Sequence, residues 1–255
     1  MGATASLIGS LFLSVIASGT ALPEATDQSS GKPVIQFLYP DVGPFLQGVS
    51  DGEAVKGPIA HRVEALAAAA GYEISWLGPI PRNRILADLQ DGRVACTPNV
   101  IKTPDREARF KFTAPIFPQI DWVVITKKDA NWIKAYPTVE ALLRDKTRVY
   151  GSMLGASKGP VIDAMTASEA THVRPIRGTP SDLVKMITSG HIDYTIVSGS
   201  EDARTAAVAA GIDPSEIVSI HFPELSAVGA GHIMCAPTVS DEVIAAFDKA
   251  LATMP

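Results

Sequence analysis

The side chains able to do chemistry in this chain are few and scattered. The five histidines, His61, His172, His191, His221 and His232, never stand at His-x3-His spacing, and there is no Cys-x2-Cys pair. A zinc centre needs such clusters, so no metal site is expected, and no cofactor either. No nucleophile–base arrangement is legible, and the reading is of a protein that is not an enzyme. Cys96 and Cys235 lie 139 residues apart in two strand-like runs, RVACTPNV and GHIMCAP. Taken alone they are either one disulfide or two buried thiols. Bonded, they would close a long loop and stabilise by about 4–5 kcal/mol. That leaves the arginines. Arg106 stands in TPDRE and Arg82 in PRNR. A guanidinium is always charged and offers a planar fork that matches a carboxylate. Either residue could equally sit in solvent at a helix start, Arg106 paired with Asp105 or Glu107.

Positioning such residues is the task of the surrounding elements. With 255 residues, 46% hydrophobic and 19% charged, the chain can build two lobes of about 100–120 residues. A net charge of −5 argues against a nucleic-acid binder, which needs a basic surface. Residues 1–21, MGATASLIGSLFLSVIASGTA, carry no charge and hold an apolar stretch from Leu7 to Ile16 before a Gly-x-Ala end. This reads as a secretory signal peptide cleaved after Ala21, although the usual positive charge before Leu7 is missing. No cysteine adjoins the cut, so a lipid anchor of the Cys-modified type is not expected. No later run approaches 18 apolar residues, so the mature chain does not insert in a membrane. A freely soluble periplasmic protein follows.

Strand-like runs alternate with helical ones along the mature chain. Strands are expected at Val34–Leu38, Tyr72–Leu77, Arg93–Thr97, Asp121–Thr126, Arg148–Gly151, His172–Ile176, His191–Val197, Ile217–Phe222 and His232–Ala236. Helices are expected over Pro58–Ala70, Pro81–Leu89, Thr138–Arg144, Gly159–Ala167, Ser181–Ser189, Glu201–Ala210 and Asp241–Thr253. The pattern is α/β. LQDGRVA at 89–95 and ITSGHID at 187–193 repeat one unit, a helix end, a Gly cap and a strand start, which suits two similar lobes.

The segment LQDGRVACTPNVIKTPDREARFKFTAPIF, Leu89 to Phe117, resembles the signature of family 3 extracellular solute-binding proteins, the periplasmic receptors of polar amino-acid ABC importers. VYGSMLGASKG and ITSGHIDYTIVSGSEDA look like that family's second-lobe elements. The resemblance implies a two-lobed periplasmic-binding-protein-like fold with two crossing hinge strands and a ligand cleft between the lobes. Lobe 1 would be 33–118 plus 226–255, and lobe 2 would be 119–225. Both cysteines then fall in lobe 1, which favours the disulfide.

The resemblance also implies a site. Arg106, the Arg of Thr-x-x-Arg, would bind the ligand's carboxylate, with Asn99 on the loop before it and Ser157 opposite from lobe 2. The alternative for Ser157 is plain capping of the helix that follows. Arg82 stands where many family members place an aromatic, and suits a ligand with another anionic group or stacking through its own plane. Arg84 points elsewhere. Tyr39 and Phe45 flank the turn at Pro40–Pro44 and are candidates for an apolar wall, or else lobe-1 core. Ser198 stands where amino-acid receptors carry the Asp that pairs with the amine. Unless Glu201, Asp202 or Asp41 substitutes, the pocket favours an anion without an amine. The expected function is capture of a small carboxylate-bearing solute, an amino acid or an amine-free organic acid, by a monomer serving an ABC permease. The alternatives are a partner-binding accessory or sensory protein, and a dehydratase-type enzyme using Glu201 as its acid.

Overall fold

The computed structural model describes residues 1–2, 31–48, 55–167, 171–226 and 229–254. The expected signal peptide at 1–21 lies outside the described residues apart from Met1 and Gly2. From Lys32 onward the chain forms one compact unit.

Two five-stranded mixed sheets organise that unit. The first has the order β2-β1-β3-β10-β4, built from β1 (Val34–Leu38), β2 (Glu73–Leu77), β3 (Cys96–Ile101), β4 (Lys111–Ile120) and β10 (Gly229–Cys235). The second has the order β7-β6-β8-β5-β9, from β5 (Trp122–Lys127), β6 (Tyr150–Met153), β7 (Val173–Ile176), β8 (Tyr194–Ser198) and β9 (Ile217–Ile220). In both sheets two parallel pairings join two antiparallel ones. The chain leaves the first sheet at Asp121 and returns between Ile220 and Gly229, so two connections link the lobes.

Helices cover the sheets where an apolar stripe demands it. In α1 (Pro58–Ala70) a Pro opens the first turn, Ile59, Val63 and Leu66 are buried, and Gly71 ends the helix at φ 87°. The others follow in order: α2 (Arg82–Gln90), α3 (Pro104–Glu107), α4 (Val139–Leu143), α5 (Pro160–Ala167), α6 (Pro180–Thr188), α7 (Ser200–Ala209) and α8 (Asp241–Leu251). Phe37, Leu38, Leu66, Leu89 and Phe247 form the heart of the first core. The second lobe packs one core around Tyr150, Tyr194 and Leu142 and another around Val123, Ile125 and Leu183.

The strand β4, which holds Pro115 and Pro118, is absent from the sequence expectations. It survives because β4 is an edge strand, where a missing N–H costs no ladder bond. Cys96 and Cys235 are joined, directly opposite each other on β3 and β10. Since β10 arrives after the whole of the second lobe, this bond staples the two separate segments of the first.

Candidate functional site

Between the sheets lies a cleft of about 160 Å³, and residues from both sides line it. Arg106 reaches it because of its local sequence. Thr103 caps α3, its Oγ1 accepting from the Arg106 N–H at 3.4 Å, and Pro104 fills the first turn. This short turn directs the guanidinium back along the end of β3. There one Nη donates to the Ile101 carbonyl at 2.8 Å, and the other to the Gly155 carbonyl across the cleft at 3.4 Å. Burial pushes the Arg106 pKa down, against the opposing field of Asp163.

Arg82, at the start of α2, also lines the cleft. Its pKa is lowered, first by burial; Asp41 opposes this and Arg106 adds to it. Arg84 instead faces solvent in an ion pair with Asp88. Gly155 is the contact between lobes here: a Cβ built on it would sit 3.1 Å from the Arg82 Cβ.

Ser157 lines the cleft, but its hydroxyl is engaged, donating to Asp163 Oδ2 and accepting from the Gly159 N–H. It thus caps the approach to α5. Asn99 lines the cleft too, though not on a loop as expected: it lies inside β3 at φ 54°. Pro98 and Asn99 form a bulge, since Thr97 and Val100 pair with Met234 and His232 of β10. Asparagine tolerates the left-handed region better than most residues.

Phe45 contributes to the wall of the cleft. Tyr39 does not and is corrected to core. It is 4% exposed and packs edge-on against Trp76 at 5.7 Å, because β1 carries its side chain into the first lobe. Ser198 lines the cleft and donates to Asp202 Oδ2. Asp202 also lines it, and burial raises its pKa in spite of that hydrogen bond. Glu201 points away, exposed and paired with Arg204. Asp41 caps its own turn by accepting from the Gly43 N–H at 2.8 Å.

Two cleft residues escaped sequence reasoning. Lys158 is 6% exposed, with Nζ 4.6 Å from the centre of the Trp122 ring. Burial and Arg82 push its pKa down to about 8, against the pull of Asp163. Trp122 begins β5 directly after the crossing, and its indole N–H has no hydrogen-bond partner among the described residues. The only sequence hint was position: Lys158 adjoins Ser157. No cluster of three metal-ligating side chains exists among the described residues. Nor is any described helix long and apolar enough to cross a membrane.

Two α/β lobes joined twice, with a cationic cleft between them, define a ligand-binding protein of the two-lobed periplasmic type. Over residues 40–255 the sequence matches the family model of bacterial extracellular solute-binding proteins, family 3, and the chain belongs to that family. Among solved structures, an ancestral arginine-binding protein bound to arginine is similar at TM-score 0.68 and 16% identity, covering 88% of this chain and 92% of that one. The amino acid ABC transporter substrate-binding protein AbpA from Streptococcus pneumoniae, bound to L-arginine, gives 0.64 and 21%, covering 88% and 89%. A histidine kinase sensor domain with similarity to periplasmic binding proteins gives 0.68 and 15%, covering 87% and 90%. No curated protein matches the chain.

Proposed function

We propose that this protein is a periplasmic receptor that closes around a small carboxylate-bearing solute and delivers it, as a monomer, to an ABC permease. Export would run through the signal peptide at 1–21, and the moving bodies would be residues 33–118 with 226–255 against 119–225. The observation carrying this reading is Arg106, whose guanidinium stands in the cleft with no carboxylate partner among the described residues and already reaches across it to Gly155. A ligand carboxylate would accept from this fork, bind the closed arrangement better than the open one, and so shift the population. Asp202 keeps an amine within the chemistry of the cleft, so amino acids and amine-free acids are both candidates.

A thermal-shift panel on the mature protein tests the reading, with Arg106→Ala alongside. A ligand at 100 times its Kd stabilises by about 2.7 kcal/mol, roughly 5–11 °C for a chain of this size. Acids that shift the wild type and not the variant support it. Silence across amino acids and organic acids would sink it. The sensory reading retains one supporting observation, the likeness to a histidine kinase sensor domain. Co-purification with an exported or membrane partner, without a ligand, would favour that reading.

A further inference from the structure

Three cations line one cleft: Arg82 and Arg106 from the first lobe, and Lys158 from the second. A carboxylate at Arg106 accounts for one of them. Arg82 and Lys158 remain, and among the described residues neither has a hydrogen-bonded or ion-paired carboxylate. The nearby acids are committed elsewhere. Asp41 accepts from the Gly43 backbone. Asp163 spends one oxygen on the Lys158 backbone N–H at 2.8 Å and the other on Ser157. Asp202, the one acid in the lining, receives the Ser198 hydroxyl. Among the described residues the Lys158 ammonium has the face of Trp122 as its partner.

Buried charges are normally paired, because removing one from water without a counter-charge is costly. Two unpaired cations facing one cleft therefore mark a place for an anion. They also come from opposite lobes. Gly155, on the same loop as Lys158, lies close against the Arg82 backbone and Cβ, and Lys158 feels the charge of Arg82. Closure of an empty cleft is thus opposed by their repulsion, which a bound anion would relieve.

We infer that the ligand carries two anionic groups, one held by Arg106 and the second bridging Arg82 and Lys158, as in a short dicarboxylic acid or an acidic amino acid. This rests on the receptor reading above and names its substrate class. The lowering of the Lys158 pKa by burial and then by Arg82 is consistent with it. The second group is then the one whose charge closes the lobes, and a monoanion of equal length leaves Arg82 and Lys158 unneutralised.

Calorimetric titration at fixed ionic strength tests this with matched probes: succinate, glutarate and L-glutamate against butyrate and L-glutamine. The variants are Lys158→Met, which keeps an unbranched apolar stem, Arg82→Gln and Arg106→Ala, each checked for folding by circular dichroism. The expected result is a diacid preferred by about 10–100-fold, the worth of a charge-assisted hydrogen bond. Lys158→Met and Arg82→Gln should each shrink that preference, and Arg106→Ala should weaken both classes. A monoacid binding as tightly as its diacid, or a diacid preference untouched by both Lys158→Met and Arg82→Gln, overturns the dianion while leaving the carboxylate receptor standing. Binding of no acid at all overturns both.

Discussion

Replacing Gly155 by Ala separates lobe closure from folding. The new Cβ would lie 3.1 Å from the Arg82 Cβ and 3.3 Å from the Asn83 nitrogen, both across the cleft. Carbon atoms rest at about 3.5–4.0 Å, so the lobes must back away. Overpacking of this kind costs about 1–3 kcal/mol, which is about 5–150-fold in affinity because only the closed form carries the clash. The same substitution also strains the backbone, since Gly155 sits at φ 76°. A left-handed L-residue costs about 1–2 kcal/mol, less roughly 0.4–1 kcal/mol from restricting the unfolded chain. A net loss near 1 kcal/mol lowers the Tm by about 2–4 °C. Gly71→Ala is the control. Gly71 has φ 87° and nothing within 4 Å of its Cβ, so it bears the backbone cost without touching the other lobe. Scanning calorimetry should show similar Tm losses for both variants. Titration with the tightest acid of the panel should show lost affinity for Gly155→Ala alone. Equal affinity in the two variants would refute the closed contact between Gly155 and Arg82.

Other consequences are as direct. Lys158, with its pKa pushed down to about 8 by burial and by Arg82 and facing Asp163 besides, is cationic below that pH and neutral above it. A dianion favours the charged form, so its affinity should be greatest below pH 8 and fall as pH rises past it, by up to about tenfold per pH unit; an affinity flat from pH 7 to 9.5 would remove Lys158 from the site. Asp202→Asn should weaken amino acids by about 10–150-fold while sparing amine-free acids, measured as paired Kd values. Equal losses in both classes would make Asp202 a positioning residue for the loop. Removing the disulfide with Cys96→Ala and Cys235→Ala should cost about 5 kcal/mol in the chain-entropy picture, or roughly 10–20 °C in Tm. A loss under about 5 °C would show that the first lobe does not depend on this staple.

What was legible in the sequence tracks how local its physical cause is. The α1 helix reads correctly from end to end because Pro58, the stripe of Ile59, Val63 and Leu66, and Gly71 all speak within one segment. Arg106 is read through the resemblance of its Thr-x-x-Arg segment, and Thr103 and Pro104 build the short turn that places it. The strand β4 is hidden because its prolines are tolerated only at an edge, and edge position is a property of the assembled sheet. Pro98–Asn99 looks like a turn and is instead a bulge, a distinction made by β10, which arrives more than a hundred residues later. Tyr39 and Phe45 flank the same turn and look alike, yet one enters the core and the other the cleft wall. Lys158 is the hardest case. Among Ser157, Gly159 and Pro160 it has the setting of a surface loop lysine, and only the tertiary structure buries it against Trp122.

The region around Ser198 shows how a departure at one position can be met at another. A neutral residue there removes a charge partner for an ammonium, and taken alone it excludes amino acids. Gly199, at φ 83°, turns the chain from β8 into α7, and one helical turn on, Asp202 comes back to the Ser198 hydroxyl at the cleft. The carboxyl is therefore displaced rather than lost. Its position changes its chemistry, because burial raises its pKa and a single hydroxyl only partly compensates. A ligand ammonium beside it would favour the charged carboxylate, and a second ligand anion would oppose it. Under the dianion proposal, selection between the two solute classes would fall to Arg82 and Lys158, whose charges favour a solute that brings a second anion.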